Sequence, residues 1–303
     1  QYPACHPILA SLPKLTIHSW LTALQTERLE QKARLITQRL ALCNRNWEDA
    51  FFITLARNFG FGLNGDAFET WAGLLPFRAL DKHRNDLFQI EAFFYGLAGL
   101  LEETFLKKEQ EDEYSLRLCK EFRYLQRKFE IGQGMDATLW RFLRLRPENF
   151  PHIRLAQLAY LYQKGDKLFS RLLEAETLAD VRTLLDARTS PYWENHYLFG
   201  RPSSQKEKTM GERSKDLIII NTVVPFLYTY GLHKTDERMC ERAGRFLEEL
   251  KAESNHIIRS WSDAGLPVVS AADSQALIQL QKEYCDKRKC LYCRFGYEYL
   301  KHT

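Results

Sequence analysis

The sequence predicts an all-α protein, a multi-helix globular domain of short and medium helices without a regular repeat. Apolar residues recur at three- and four-residue spacing in nearly every long segment. An alternating strand pattern is missing, and no internal repeat period is visible. The hydrophobic fraction of 45% with 27% charged residues is ordinary for a folded chain, and 303 residues are enough to bury a large core.

The N-terminal part of the chain reads as a succession of helices. Amphipathic spacing predicts a long helix within residues 16–43. Asn46 and Asp49 then form a capping pattern for the next helix, and Gly60 is a typical end for it. Further helices are expected at 66–75, 87–101, 112–129, 136–145, 153–163, 167–175 and 178–187. Thr177 and Asp180 are predicted to cap the last of these.

The C-terminal part follows a segment that predicts a mobile loop. Residues 200–213 are rich in Gly, Ser, Lys and Glu and contain little to bury. We expect one domain over 1–303, in which this loop joins two lobes, 1–199 and 214–303. Residues 217–230 fit a buried strand or a buried helix, and the length of the run favours helix. Helices at 237–253, 270–284 and 291–300 complete the prediction, and Ser270 with Asp273 is predicted to cap the second of them.

The sequence also indicates the cellular compartment of the protein. The longest apolar stretches are interrupted by Glu91, Asn221 and Pro225 and are too short to span a bilayer, so we expect no membrane partner. The first residues do not resemble a signal peptide and do not start with Met, which suggests a fragment of a longer chain. Seven cysteines, an odd number, favour a reducing compartment, the cytoplasm.

Nucleic-acid binding cannot be argued from total charge. The chain has 43 Lys and Arg against 39 Asp and Glu, which leaves a net charge of +4. Any electrostatic case therefore rests on local clusters of basic residues.

The segment 140–154 holds the densest group of arginines. Arg141 and Arg144 are predicted to share one helix face at i, i+3 spacing, and the turn at Pro147 would bring Arg146 and Arg154 to the same place. Four guanidinium groups would form a phosphate clamp and so a nucleic-acid interface. In the alternative interpretation, these arginines pair with buried carboxylates such as Glu91.

The C-terminal segment 282–301 interleaves basic and aromatic residues. Its cations would contact phosphates while the neighbouring rings stack on unpaired bases. The same pattern is typical of a helix with its aromatic side chains inward and its cations outward. The cations in question are Lys287, Arg288, Lys289 and Arg294.

Three cysteines in this segment have the spacing C-x4-C-x2-C. Cys285, Cys290 and Cys293 predict sulfur ligands for Zn²⁺ or an iron–sulfur cluster. A fourth ligand has to come from elsewhere, and the sequence leaves it open among Cys5, Cys43, Cys119, Cys240 and His302. The alternative is three reduced cysteines packed at a helix junction.

Motifs of known catalytic classes are missing from the sequence. We find no G-x-S-x-G, H-E-x-x-H, Walker or Rossmann pattern. Glu91, inside an apolar run, could act as an acid or base if burial raises its pKa, and His196 is a candidate base. Catalytic residues therefore stay unassigned, and whether the chain is an enzyme stays open.

Several strings together resemble an uncharacterised bacterial family, the domain of unknown function 2851. The resemblance implies a helical C-terminal part of a longer protein, whose N-terminal region looks somewhat like a metal-dependent nuclease of the restriction type. That missing region would be a partner of this chain. The strings are 58–61 (NFGF), 64–68 (NGDAF), 142–154, 220–226 (INTVVPF) and 273–294.

These observations favour a non-catalytic helical companion domain that binds nucleic acid through its arginine cluster and basic aromatic tail. Two alternatives remain open. The first is a structural or protein-interaction scaffold, and the second is an enzyme of an unrecognised type.

Overall fold

The computed structural model describes residues 5–301, and most of them are helical. The α-helices in chain order are α1 (His6–Leu9), α2 (Lys14–Leu42), α3 (Trp47–Phe59), α4 (Gly65–Gly73), α5 (Phe77–Lys82), α6 (Leu87–Leu97), α7 (Glu113–Phe129), α8 (Pro151–Lys164), α9 (Leu168–Glu174), α10 (Leu178–Leu184), α11 (Glu212–Ile218), α12 (Val224–Lys234), α13 (Glu237–Glu249), α14 (His256–Asp263), α15 (Ala271–Gln279) and α16 (Arg294–Lys301). Within the described residues, no helix combines the length and apolar character that crossing a membrane requires.

The chain between these helices contains short helical turns and one small hairpin. Turns of 3₁₀ type lie at Lys108–Gln110, Ala137–Leu139, Pro147–Asn149, Pro191–Glu194 and Cys290–Tyr292, and π-helical turns lie at Ile219–Val223 and Leu280–Cys285. Strands β1 (His196–Leu198) and β2 (Arg201–Pro202) pair antiparallel around Gly200, whose φ is 61°. The all-α prediction is confirmed, and this hairpin is too short to give an alternating pattern.

The helices divide into two compact units along the chain. The first comprises Gln1–Leu42 and Ile219–Thr303, and the second comprises Cys43–Ile218. These boundaries differ from the predicted lobe boundary at 200–213, because α2 packs against α12 and α15. Segment 200–213 lies within the second unit, and its mobility stays a prediction.

The first unit is organised around α2. One face of this helix buries Leu21 and Leu24 against Ile258, Trp261 and Phe295. Residues 217–230 are helical throughout, as predicted, but with a π-helical turn. A proline follows that turn and has no N–H with which to continue the α-helical ladder.

The second unit is organised around α6, which has almost no exposed surface from Ile90 to Leu97. Helices α7 and α8 pack against it. The polar ends of the surrounding aromatic side chains find backbone acceptors. Trp71 Nε1 donates to Phe94 O at 3.0 Å, Trp140 Nε1 to Ala98 O at 2.8 Å and Tyr95 Oη to His152 O at 2.6 Å. These three buried side-chain groups are thereby satisfied.

The predicted capping residues are confirmed. Asn46 Oδ1 accepts a hydrogen bond from the N–H of Asp49 at 3.2 Å. Thr177 with Asp180 and Ser270 with Asp273 form reciprocal capping boxes at the starts of α10 and α15. These local patterns fix helix starts because they use only neighbouring residues.

The helix predicted at 136–145 is wrong. Asp136 begins only a single 3₁₀ turn, Ala137–Leu139, and α-helix does not resume until Pro151. Trp140 is buried with its indole N–H on a carbonyl of another segment, and both backbone groups of Arg141 are held by a distant side chain. Tertiary hydrogen bonds thus replace the local helical ladder here.

Most of segment 200–213 is exposed, as expected, but the segment does bury two side chains. Lys208 and Met210 are 3% and 2% exposed. Lys208 Nζ donates to the carbonyls of Trp193 and Glu194 and lies over the ring of Tyr197, 4.2 Å from its centroid. A lysine can be buried when its ammonium group has such acceptors.

We expect Gly96→Ala to destabilise the second unit. A Cβ at position 96 would overlap the ring of Phe122, and overpacking in a well-packed core costs about 1–3 kcal/mol. Gly73→Ala, at the end of α4, is the matched control, because a Cβ there meets nothing within 4 Å. Thermal unfolding should show a lower midpoint for Gly96→Ala and an unchanged or slightly higher one for Gly73→Ala. Equal midpoints would contradict the tight packing of α6 on α7.

Candidate functional site

The predicted arginine cluster lies on an irregular segment, residues 140–150, which we name the arginine loop. Arg141 and Arg144 do not share a helix face, because this segment is not helical. Arg144 instead has a φ of 66°, a left-handed conformation that is uncommon for a residue with a side chain. Such a backbone persists only where the surrounding structure holds it in place.

Asn64 holds the start of the arginine loop. Its Nδ2 donates to Arg141 O at 2.9 Å, and its Oδ1 accepts from Arg141 N at 2.8 Å. Asn64 is only 3% exposed, so these two hydrogen bonds lie in a protected position. One side chain thereby replaces the backbone partners that Arg141 would have in a helix.

Arg154 is buried and stabilises the loop, so it does not join the exposed arginines. It is 6% exposed and lies in α8. Its Nη2 donates to Asn149 Oδ1 at 2.6 Å, its Nη1 to Gln157 Oε1 at 2.8 Å, and its guanidinium lies 4.5 Å from the ring centroid of Phe61. Burial lowers the pKa of Arg154 to about 10, against the opposing effect of Glu148, and the group stays charged at neutral pH. The predicted four-arginine clamp is therefore wrong in its fourth member.

The other three arginines of the loop are exposed. Within residues 5–301, the side chains of Arg141, Arg144 and Arg146 make no hydrogen bond or ion pair. The nearby carboxylate of Glu148 pairs with Lys206 at 2.9 Å, and its pKa is lowered by that hydrogen bond and, more weakly, by the charge of Arg146. The interpretation that these arginines pair with buried carboxylates is wrong.

An apolar cavity of about 190 Å³ adjoins the loop. The loop itself supplies Phe142 and Phe150 to its lining, and Phe105, His152 and Phe199 complete most of the wall. The rings of Phe105 and Phe142 are stacked, 6.1 Å apart. Burial lowers the pKa of His152 to about 3, so its ring is neutral, and its Nδ1 has no hydrogen-bond partner. The candidate site therefore consists of a cavity lined by aromatic rings and, beside it, three exposed arginine side chains.

Glu91 lies in the interior of the second unit, with 0% exposure. Its Oε2 accepts hydrogen bonds from Tyr114 and, at 3.2 Å, from Ser190, whereas Oε1 has no partner. The expected arginine partner is therefore replaced by neutral hydroxyl groups. Burial raises the pKa of Glu91 to about 7, although these hydrogen bonds oppose the shift. The carboxyl group presents no surface to a substrate.

His196, the other candidate base, stacks on an aromatic ring. Its imidazole lies 4.1 Å from the ring centroid of Tyr192, with the two planes 6° apart. Its Nδ1 is 2.9 Å from Tyr192 O and 2.8 Å from Asn195 Oδ1. These contacts fix the ring against the protein.

The basic C-terminal segment belongs to the first unit, and its aromatic residues divide into two sets. Phe295 is buried against Trp20, and Tyr284 donates to Glu27 Oε2 at 2.9 Å. Tyr292 and Tyr297 are 82% and 51% exposed. Some aromatic residues of the tail therefore point inward, and two are left at the surface. The cations Lys287, Arg288, Lys289 and Arg294 are all exposed, and Lys287 also pairs with Glu283.

The three clustered cysteines are joined by Cys5, and we name these four the thiol cluster (Cys5, Cys285, Cys290 and Cys293). All seven cysteines of the chain are outside disulfides. Burial, followed by the charge of the other thiolates, raises the pKa of Cys5 to about 11 and that of Cys285 to about 12. As the side chains stand in residues 5–301, no three His, Cys, Asp or Glu are arranged to hold a metal ion. His302 lies outside the described residues.

Sequence reasoning missed the residues that shape these sites. Asn64 and Phe61 lie about 80 positions before the loop that they hold, and a lone Asn or Phe carries no signal of such a partner. Tyr114 and Ser190 were missed for the same reason. Phe61 and Asn64 belong to the strings NFGF and NGDAF, which carry the family resemblance. That resemblance was the signal in the sequence that could have pointed to these two residues.

We expect the stability of the protein to fall with rising pH because of Glu91. In the unfolded chain this group ionises near 4.5 and in the folded protein near 7, so the folded state binds more protons between these values. Stability due to Glu91 is therefore present below pH 4.5 and lost as pH rises to 7, by about 3 kcal/mol. Denaturant unfolding of the wild type and of Glu91→Gln measures this effect. The difference between their free energies of unfolding should change between pH 4.5 and pH 7. Parallel pH profiles would contradict the prediction.

Comparison with known proteins identifies a family for the chain. A family model described as "Protein of unknown function (DUF2851)" matches residues 1–256. This range includes the arginine loop and Cys5, whereas residues 273–294 lie outside it. No curated protein and no solved structure matches the chain. Because the match covers most of the sequence, the chain belongs to the DUF2851 family, as its motifs predicted.

Proposed function

We propose that the second unit binds single-stranded nucleic acid through the arginine loop and does not itself catalyse a reaction. The observation that carries this proposal is the exposure of Arg141, Arg144 and Arg146 without a carboxylate partner. These three side chains project from a segment whose backbone is fixed, and a guanidinium group matches the geometry of a phosphate.

The rigidity of the loop favours binding. Asn64 and Arg154 hold its two ends through hydrogen bonds of 2.6–2.9 Å. A loop already ordered in the free protein loses little conformational entropy when a ligand binds. The phosphate contacts therefore need not supply the free energy for ordering the loop.

The aromatic cavity beside the loop favours single strands over duplexes. Bases of a single strand are free to turn outward and stack on aromatic side chains, whereas those of a duplex are stacked on each other. Phe142 and Phe150 belong both to the loop and to the cavity wall. Phosphates on the arginines and a base against these rings would occupy one continuous surface.

The basic tail would supply a second contact surface, in the first unit. Exposed Lys289 and Arg294 lie close in sequence to exposed Tyr292 and Tyr297, which matches the combination of cations and stacking rings. We propose another region of the same polypeptide as the partner, with this chain as its helical companion. We place the protein in the bacterial cytoplasm, a proposal that the lack of disulfides among its cysteines supports.

A protein-interaction scaffold is the second candidate function. Leu143 is 81% exposed and Leu139 is 50% exposed, both beside the exposed arginines. Apolar side chains at the centre of a surface rimmed by cations are typical of protein interfaces. This candidate predicts that binding depends on Leu143 more than on the charges.

The proposal predicts a large effect of the three charges on affinity. A combined variant, Arg141→Ala, Arg144→Gly and Arg146→Ala, avoids backbone strain at position 144, because glycine accepts a positive φ. Fluorescence anisotropy with a fluorescent oligothymidylate should show weaker binding of this variant. The slope of log affinity against log salt should flatten by about 2, since each lost contact on a single strand contributes about 0.7.

The matched control removes the same charge from helices of the same unit. Arg78, Arg127 and Arg171 are exposed, and alanine suits their helical positions. Their combined alanine variant should bind like the wild type apart from a small general electrostatic effect. Equal losses in the two variants, or no binding by the wild type at low salt, would refute the proposal. If Leu143→Ser loses binding to a protein partner while its oligonucleotide binding is unchanged, the scaffold function is favoured.

Asn64→Ala tests the role of loop rigidity separately from charge. The variant keeps all three arginines but removes both hydrogen bonds to Arg141. Affinity should fall by about tenfold through lost pre-organisation, and the salt slope should stay that of the wild type. Asn85→Ala, at an exposed position of the same unit, is the control. A changed salt slope in Asn64→Ala would show that the loop arginines no longer reach the phosphates.

A further inference from the structure

The aromatic cavity beside the arginine loop contains a buried polar group without a hydrogen-bond partner. His152, in the first turn of α8, is 1% exposed and forms part of the cavity lining. Its Nδ1 makes no hydrogen bond within residues 5–301. The neighbours of the imidazole are aromatic rings, and the ring centroids of Phe105, Phe199 and Trp193 lie 6.3, 5.2 and 5.8 Å from its own. The described part of the chain thus gives this nitrogen an apolar environment.

The unpaired Nδ1 of His152 is unfavourable in the free protein, because a buried polar group loses its hydrogen bonds to water and gains none in return. Burial also lowers the pKa of His152 to about 3, so the ring is neutral at physiological pH. A neutral imidazole has one nitrogen that donates and one that accepts. A ligand that brings both a donor and an acceptor into the cavity would therefore satisfy Nδ1 in either form of the ring.

The cavity is placed so that a strand bound at the arginine loop can reach it. His152 and Phe199 form a buried part of its wall, whereas Phe105, Phe142 and Phe150 are half-buried. Phe142 and Phe150 belong to the arginine loop itself. A base could therefore turn into the cavity past these two rings while its phosphates stay on the exposed arginines.

The volume of the cavity favours a single aromatic ring as its occupant. A cavity of about 150 Å³ with an apolar lining accommodates benzene, and this cavity has a volume of about 190 Å³. A pyrimidine base consists of one six-membered ring with small exocyclic groups, whereas a purine adds a second, fused ring. The available space thus matches a pyrimidine, and a purine would have to displace aromatic side chains from a packed wall.

We propose that this cavity binds one unstacked pyrimidine base of a single strand, which forms a hydrogen bond with Nδ1 of His152. The inference rests on the proposed binding of single-stranded nucleic acid and adds a base preference to it. Thymine and uracil present N3–H beside O4, and cytosine presents N3 beside its amino group, so each pyrimidine offers a donor and an acceptor on one edge. The faces of the base lie against the aromatic lining.

The test uses the full wild-type chain and short oligomers of abasic deoxyribose phosphate that carry a single central base. These oligomers keep the phosphates and remove stacking between neighbouring bases. Fluorescence anisotropy should show about tenfold tighter binding with thymine or cytosine than without a base, since stacking of one base contributes on this scale. Adenine at the same position should give little gain. The slope of log affinity against log salt should be the same for all oligomers, because their phosphates are the same.

A variant of His152 tests the proposed hydrogen bond. His152→Phe keeps an aromatic ring but removes both nitrogens. It should bind the thymine oligomer about fivefold more weakly than the wild type does, the usual effect of one hydrogen bond, with unchanged affinity for the abasic oligomer. His83→Phe is the matched control, because His83 also contacts two aromatic rings, Phe93 and Phe129, in the same unit but lies outside the cavity lining. It should bind like the wild type.

Nuclear magnetic resonance of the wild type covers the case in which His152→Phe folds poorly. With isotopically labelled histidine, the Nδ1 resonance of His152 should shift when the thymine oligomer is added and stay in place with the abasic one. Equal affinities for the thymine and abasic oligomers, without this shift, would overturn the base site and leave phosphate binding by the arginine loop intact. Adenine bound as tightly as thymine would overturn the preference for pyrimidines. If the wild type binds none of the oligomers at low salt, the proposed function itself is refuted, and this inference with it.

Discussion

The almost complete burial of α6 is the constraint on which the second unit depends. A helix without an exposed face has to be covered by aromatic side chains that also carry polar groups, and each polar group then needs an acceptor in the interior. Trp140 finds its acceptor at Ala98, just beyond the end of α6. That hydrogen bond fixes the start of the arginine loop. The packing of the core therefore also determines the conformation of the arginine loop at the surface.

Polar groups buried in this unit serve two different purposes. Arg154 keeps its charge, because amide oxygens and the face of Phe61 replace water around its guanidinium group. Glu91 is surrounded by hydroxyl groups and an apolar core, which favour its neutral form. The difference follows from the ordinary pKa of each group, since burial lowers the pKa of Arg154 only to about 10 but raises the pKa of Glu91 to about 7. Arg154 therefore stabilises the loop that carries the exposed arginines. Glu91 is buried in the core and has no access to a ligand.

The first unit depends on an association between distant parts of the chain. Helix α2 near the N-terminus packs with helices after Ile219, and α1 packs against α16. Contacts of this separation are costly in chain entropy. Burial of apolar side chains from both ends of the chain in one core offsets that cost.

The sequence alone determined the helical class and the starts of α3, α10 and α15, because apolar periodicity and capping act over a few residues. Tertiary structure decided the rest. Residues 136–145 lost their helix because Trp140 and Arg141 gained hydrogen bonds from residues more than 40 positions away. The packing of α1, which begins directly after Cys5, on α16 could not be predicted either, since nothing local to either helix indicates it. Spacing in a sequence predicts contacts along one element, and only the packing of elements decides contacts between them.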